Sequence, residues 1–340
     1  MSTKGSTQTS MAQIKIGTRG SPLALYQARL VQRLLGQAHG IAEDKRDEDL
    51  SIVIIKTTGD KIQDRPLSAI GGKGLFTKEI EESLLAQDID IAVHCVKDMP
   101  NDCPPGLALA ITMEREDPRD AFISPKAKRL EDLPQGAVVG STSLRRQAQI
   151  LAKRPDLKVV TYRGVVETRL RKLAEGEVDA TLLAVAGLNR LGKQDEITSI
   201  MDTELMVPAV GQGALTIEVR EGDTNILQAL EPLRHEQTEI EVAAERAFLD
   251  VLDGSCRTPI AGWARFEGGT LRFDGRVLMP DGSEGHDVKA ETKLKSAPEA
   301  ALFGREQGVL LKEKAGSEFM ARLTAAVEAA AVDPGKAPPE

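Results

Sequence analysis

The sequence is short of cysteine, histidine and aromatic residues, and each shortage argues against a class of function. Its three cysteines, Cys95, Cys103 and Cys256, form no C-x-x-C pair, and an odd count in 340 residues argues against a disulfide framework. A reducing compartment is expected. Four scattered histidines, His39, His94, His235 and His286, make no H-x-x-x-H, so no metal is expected. One Trp, two Tyr and seven Phe are too few for the stacking platforms that single-stranded nucleic acid uses. Neither G-x-G-x-x-G nor G-x-x-x-x-G-K-[ST] occurs, so a nucleotide would find no phosphate cradle. The longest apolar run, residues 180–188, is about half of a membrane-spanning helix, and no apolar signal segment follows the polar start MSTKGSTQTS. These absences point to a cytoplasmic protein with neither nucleic acid nor membrane as partner.

Charge is plentiful and unevenly spread. Lys and Arg number 44 against 52 Asp and Glu, a net charge of −8 that repels nucleic acid and anionic membrane. Residues 141–190 run the other way, with ten Lys/Arg against five Asp/Glu, or +5, which leaves −13 for the remainder. A basic region on an acidic chain suggests a small anionic ligand; a solvated helix face is the plainer alternative.

The first half alternates short apolar strands with amphipathic helices, the pattern of an α/β domain. Strands are expected over residues 13–18, 50–57 and 90–96, with a helix over 23–35 and another carrying Phe76, Ile80 and Leu84 on one stripe. Strand 90–96 runs into Lys97-Asp98-Met99-Pro100, where proline ends the ladder. From about Asp120 the alternation restarts, with strands over 137–140, 158–162 and 179–185 and helices over 144–153 and 167–175. After Pro208, residues 214–219 read as a strand that could return the chain to the first domain, giving a hinge crossed twice. A helix over 238–252 with Gly254 as its C′ residue, strands within 260–293, and two Ala/Leu-rich helices complete a third, smaller α/β domain.

Ser141-Thr142-Ser143-Leu144-Arg145-Arg146 follows a strand and opens a helix, where hydroxyls and free N–H groups meet anions. An ordinary serine N-cap is the plain alternative. Arg163, Arg169 and Arg190 lie just after strands or in first helical turns, the edge at which open α/β sheets bind ligands. Several forked donors there suit a ligand with several carboxylates. Asp98 ends a buried strand beside Lys97, and Cys256 sits in a polar loop beside Arg257, where a thiolate is favoured. A capping Asp and an inert Cys are the commoner roles of such residues. The turns Gly71–Gly74 and Gly211-Gln212-Gly213 read as backbone turns rather than ligand loops.

Five segments in order resemble the porphobilinogen deaminase (hydroxymethylbilane synthase) family: Val93-His94-Cys95-Val96-Lys97-Asp98-Met99-Pro100; residues 140–146; Arg163-Gly164 with Thr168-Arg169-Leu170; Ala209-Val210-Gly211-Gln212-Gly213-Ala214; and the Cys256 loop. The likeness runs from Ile14 to about Ala331. It implies two α/β domains like those of periplasmic binding proteins, residues 1–113 with 209–233 and residues 114–208, and a smaller C-terminal α/β domain over 234–333. The implied reaction joins four porphobilinogen molecules head to tail into hydroxymethylbilane, in tetrapyrrole and heme biosynthesis, with release of ammonia. It uses a dipyrromethane cofactor held by a thioether to Cys256. By the same resemblance Asp98 is catalytic. Lys73, Lys97, Ser141, Thr142, Ser143, Arg145, Arg146 and Arg169 hold the cofactor, while Arg19, Ser21, Arg163, Arg190 and Gln212 hold substrate. Porphobilinogen and the growing polypyrrole chain are the expected partners of an expected monomer.

The chain departs from the family pattern at Cys95, where Ser is usual, in the order Ser141-Thr142, at Val165 in place of Asn, at Ala69 in place of Lys, and at Ser255 in place of Gly. A two-lobed protein that captures a polycarboxylate without chemistry is the competing reading. Asp98, Cys256 and the missing secretion signal favour the enzyme.

Overall fold

The computed structural model describes residues 13–61, 77–254 and 258–332. The candidate residues Lys73 and Cys256, and the departures Ala69 and Ser255, lie outside them.

Two mixed sheets of the same design form the first two-thirds. The first contains β1 (Ile14–Thr18), β2 (Leu50–Ile54), β3 (Ile91–Cys95), β4 (Leu107–Thr112) and β10 (Leu215–Arg220), in the order β2-β1-β3-β10-β4. The second contains β5 (Asp120–Ile123), β6 (Val138–Gly140), β7 (Lys158–Val160), β8 (Ala180–Ala184) and β9 (Ser199–Ile200), in the order β7-β6-β8-β5-β9. In each, three parallel strands are followed by one that runs antiparallel to its neighbours: β10 between β3 and β4, and β5 between β8 and β9.

Those antiparallel strands are where the chain changes sheets. It leaves the first sheet after β4, enters the second through β5, leaves after β9 and re-enters the first through β10. The double crossing expected from the strand after Pro208 is therefore present. Both faces of both sheets are covered. Ile14, Ile16, Val31 and Leu35 pack on one face of the first sheet, and Ile80, Leu84, Ile89 and Leu107 on the other. Phe122, Val139 and Ile150 cover one face of the second; Tyr162, Leu183 and Leu188 cover the other. Burial on two faces explains the nearly continuous apolar runs of the parallel strands.

The third unit is an antiparallel sheet, β11 (Ile260–Glu267), β12 (Thr270–Leu278) and β13 (Gly285–Lys293), packed on helix Glu236–Val251 and on the C-terminal helical segment Ala297–Val332. That segment is two helices joined at Gly316, whose φ of 79° and ψ of 158° are not helical. The expected α/β architecture, two larger units and a smaller third, is the one the chain adopts.

Strand and helix ends differ from the sequence reading by up to three residues, as where β2 stops at Ile54 rather than 57 and the first helix runs to Ala38 rather than 35, and one cap needs correction. Gly254 is not the C′ residue of helix Glu236–Val251. Asp253 takes the left-handed position with φ 51°, and the Gly254 N–H donates to the Leu249 carbonyl at 3.0 Å. A Cβ at 254 would come within 2.3 Å of Leu249 Cδ1, the tip of a side chain that can turn aside, so the space there favours glycine without demanding it.

Candidate functional site

Every parallel strand that is followed by a candidate residue delivers it to the carboxyl edge of its sheet. Arg19 and Ser21 follow β1, Lys97 and Asp98 follow β3, Ser141 to Arg146 follow β6, Arg163 follows β7, and Arg190 ends the helix after β8. Antiparallel strands reach the same edge with their first residues: Leu215 pairs with Cys95, and Asp120 pairs with Ala184. The turn before β10, carrying Gln212, therefore lies beside the end of β3. The two sheets meet through these edges, the crevice in which open α/β sheets take ligands.

Local sequence sets each backbone there. Ser21 caps helix Pro22–Ala38, its Oγ accepting from the Ala24 N–H at 3.3 Å, with proline in the first helical turn. Ser143 caps helix Leu144–Lys153 by accepting from the Arg146 N–H at 3.4 Å, and the Ser143 N–H donates to Ser141 Oγ at 3.1 Å. Two of the three hydroxyls are thus committed to the turn, while Thr142 is exposed at the helix start. Arg190 is the last residue of helix Val185–Arg190, not in a first turn, and its Nη2 donates to the Gly213 carbonyl at 2.6 Å. Gly211 and Gly213 both have positive φ, so the expected backbone turn is present; the Gln212 side chain between them is buried in a polar network.

The centre of that network is Asp120, which the sequence reading did not single out. It is completely buried, with Arg146 Nη2 2.7 Å from Oδ1 and Arg145 Nη2 2.8 Å from Oδ2. Gln212 Nε2 donates to Oδ1 at 3.0 Å, and Lys97 Nζ donates to Gln212 Oε1 at 3.4 Å. Burial alone would raise the Asp120 pKa, but Arg145 and Arg146 outweigh it and hold the carboxyl well below the usual carboxylate range. A four-residue strand whose first residue is a lone Asp offers no helical or strand period to reveal it. The signal was the basic pair itself, since buried cations need a partner.

The cations are crowded and poorly hydrated. Burial lowers the pKa of Lys97, with Asp98 opposing it, and lowers those of Arg145 and Arg190. Arg169 is lowered to about 10, by burial first and then by Arg146. Arg169 Nε donates to the Gly164 carbonyl at 2.8 Å, and Arg163 also belongs to its electrostatic surroundings. Perturbation of this kind, concentrated where the two sheet edges meet, makes these residues candidates for a site that receives negative charge. Asp98 closes the 3₁₀ turn Val96–Asp98 and is exposed at its edge. Beside it Cys95 is half-buried against Gln27 Nε2 at 3.1 Å, and burial pushes its thiol up. It is not a poised nucleophile.

The third unit touches this region. Arg246, on helix Glu236–Val251, donates from Nη2 to the carbonyls of Pro100 and Asn101, both at 2.8 Å, just beyond Asp98. The same helix ends at Val251, and the described chain continues from it to Gly254. Among the described residues no group of three His, Cys, Asp or Glu could hold a metal ion, and no helix is long and apolar enough to cross a membrane.

Comparison with known proteins matches residues 14–228 to the family model "Porphobilinogen deaminase, dipyromethane cofactor binding domain" and residues 239–311 to "Porphobilinogen deaminase, C-terminal domain". The chain is 52% identical over 304 residues to a porphobilinogen deaminase of Nitrobacter hamburgensis, covering 89% of this chain and 94% of that one. It has the same identity and coverage with a porphobilinogen deaminase of Nitrobacter winogradskyi. Among solved structures it is similar to the methionine-binding protein MetQ, with a TM-score of 0.41 and 15% identity over 65% of this chain and 88% of that one. A methionine-bound nutrient-binding protein of Burkholderia cenocepacia gives a TM-score of 0.37 and 17% identity over 64% and 90%.

Proposed function

The chain belongs to the porphobilinogen deaminase family, and on that premise we propose which of its residues carry the reaction. The activity is hydroxymethylbilane synthesis: four porphobilinogen molecules are deaminated and joined head to tail on a dipyrromethane primer. The observation that carries the assignment of residues is the convergence of pKa-lowered cations, Arg145 and Arg190 buried and Lys97 and Arg169 half-buried, on the sheet edges beside the exposed carboxylate of Asp98.

Each pyrrole brings an acetate and a propionate, and an acidic protein would repel them without a local excess of cations. Lys97, Arg145, Arg146 and Arg169 hold the primer's carboxylates in this reading, with Ser141, Thr142, Ser143 and Lys73 as further contacts. Arg19, Ser21, Arg163, Arg190 and Gln212 hold the incoming substrate. Paired guanidinium and carboxylate groups in a poorly hydrated crevice make strong, directional bonds. The donor set therefore fits a polycarboxylate primer, which supplies the nucleophilic pyrrole carbon to which the first substrate is joined.

Asp98 does the electrostatic work at the reacting ring. When the substrate's aminomethyl C–N bond breaks, the electron pair leaves with ammonia and positive charge spreads into the pyrrole. A carboxylate accepting from the ring N–H stabilises that charge as it develops. After the new C–C bond forms, the proton lost from the attacked ring carbon restores aromaticity, and the same carboxylate is suited to receive it.

Primer attachment at Cys256 belongs to the same proposal, as do the domain limits 1–113 with 209–233, 114–208 and 234–333, the monomeric state and residence in the cytoplasm. The contact of Arg246 with Pro100 and Asn101 supports attachment there, because it brings the helix that leads to Cys256 against the Asp98 turn. Incubation with porphobilinogen, followed by its consumption, tests the function directly. Intact-protein mass spectrometry tests the attachment. Purified protein carries an increment equal to a dipyrromethane that survives reductant, and Cys256→Ser loses the increment and nearly all activity. Cys95→Ser and Cys103→Ser keep both. An unmodified mass in an active sample would refute the attachment.

A further inference from the structure

Four candidate side chains reach Asp120 directly or through one neighbour. Arg146 donates to Oδ1 from Nε at 3.0 Å and from Nη2 at 2.7 Å; Arg145 Nη2 lies 2.8 Å from Oδ2; Gln212 Nε2 donates to Oδ1 at 3.0 Å. Lys97 joins through Gln212 Oε1. The participants come from both sheets: Arg145 and Arg146 follow β6 and Asp120 begins β5, whereas Gln212 precedes β10 and Lys97 follows β3. We propose that Asp120 is a positioning residue for the polymerisation, a buried counter-ion that fixes two arginines of one sheet and, through Gln212, a lysine of the other in the orientation that receives primer carboxylates, and that fixes Gln212 itself toward the substrate. This inference rests on the functional reading above and deepens it.

Three physical arguments support the assignment. First, two guanidinium groups sharing one buried locus repel each other, and one carboxylate between them removes that repulsion while leaving the set with net positive charge. Second, an arginine side chain gives up rotamer entropy when it is ordered. Asp120 orders both beforehand, so the ligand does not meet that cost on binding. Third, each guanidinium has a second anchor, from Arg145 Nη1 to the Val207 carbonyl at 2.7 Å and from Arg146 Nη1 to the Leu182 carbonyl at 3.0 Å. Two anchors fix a planar group in direction as well as position, and each fork has further N–H groups to offer an anion.

The test compares Asp120→Asn and Asp120→Glu with the wild type in steady-state kinetics, thermal unfolding and intact mass. Asp120→Asn keeps the shape and removes the charge. Its KM for porphobilinogen is expected to rise about tenfold or more with a much smaller change in kcat, and a smaller fraction of the purified protein should carry the primer. Asp120→Glu keeps the charge and moves it by one methylene; a comparable rise in KM with little loss of thermal stability is expected. Added to Arg146→Leu, Asp120→Asn should cost less than it does alone, because the part of its effect that passes through the Arg146 guanidinium is already gone. Wild-type KM in folded Asp120→Asn or Asp120→Glu would overturn the proposal, as would full additivity with Arg146→Leu. If Asp120→Asn does not fold, Asp120→Glu decides. Failure of the wild type to consume porphobilinogen would sink the functional reading instead, and is seen before any variant is made.

Discussion

Asp98 and Asp120 stand a few residues from ordinary turn chemistry, yet their surroundings assign them opposite work. Asp98 is exposed at the end of a 3₁₀ turn and supports no core packing. Asp98→Ala is therefore expected to keep thermal stability within about 0.5 kcal/mol of wild type. Turnover should fall by roughly 10²–10³-fold, the scale on which a lost transition-state charge partner acts. Kinetics and a thermal melt on the same preparation check both halves. Asp120 is invisible to solvent and acts through its neighbours. Because its folded-state pKa is depressed, the stability it contributes is complete above the unfolded carboxylate value of about 4. As pH falls below that value the unfolded chain takes up the proton first, and the contribution is progressively lost. Denaturant unfolding followed from neutral pH into the acid range should show a steeper loss for wild type than for Asp120→Asn. Equal slopes would contradict the assignment of the depressed carboxyl to Asp120.

At the scale of elements, the two crossing segments are bonded to each other rather than left as free hinges. The Glu116 N–H donates to the Gly213 carbonyl at 3.2 Å, Arg115 Nε to the Gln212 carbonyl at 2.9 Å, and Gln212 Nε2 to the Pro118 carbonyl at 2.7 Å. Gly213 sits in the tightest part of this junction. Its φ is 90°, and a Cβ would lie 2.2 Å from the Glu116 carbonyl oxygen, a backbone atom that cannot swing aside. Gly213→Ala is expected to cost at least about 1–3 kcal/mol from the backbone conformation alone. Gly222 has a similar φ of 77° with open space around its missing Cβ, so Gly222→Ala should cost distinctly less. Equilibrium unfolding of the two variants compares them, and equal losses would show that the close approach to Glu116 does not matter.

At the scale of the whole molecule, the three units meet at one buried ion pair. Arg115, on the first crossing segment, places Nη1 2.7 Å and Nη2 3.1 Å from the two carboxylate oxygens of Glu245 on the third unit's long helix. Glu245 is fully buried and also accepts from the Gly211 N–H at 2.6 Å and the Ala264 N–H at 2.8 Å. One carboxylate thus joins the return crossing, the outgoing crossing and the first strand of the C-terminal sheet. Arg115→Leu leaves that charge without its cation, and a loss of roughly 3–5 kcal/mol is expected in chemical denaturation. A loss below about 1 kcal/mol, as for an exposed ion pair, would refute this account of the junction.

How much of this could be read in the sequence depended on whether a feature is local. Amphipathic period, serine caps and the proline after Asp98 fixed the parallel strands and their helices to within three residues, because those signals are written in adjacent side chains. The same signals put Ser141 to Arg146, Arg163 and Asp98 at strand ends, and family motifs supplied Cys256 and the chemistry. The strands left unread were β4, β5 and β9. β5 has four residues and β9 two, too few to show a period, and the six residues of β4 find their partner, β10, about a hundred residues further along the chain. Asp120 stayed hidden with them. Only tertiary pairing of Asp120 with Ala184, and of Leu215 with Cys95, brings the starts of β5 and β10 to the edge where the parallel strands end. Likewise, composition could count the cations of residues 141–190 but could not say which are buried. Sequence determined what charge the crevice carries; the fold decided which carboxylate orients it, since a counter-ion is chosen by distance in space and not by distance along the chain.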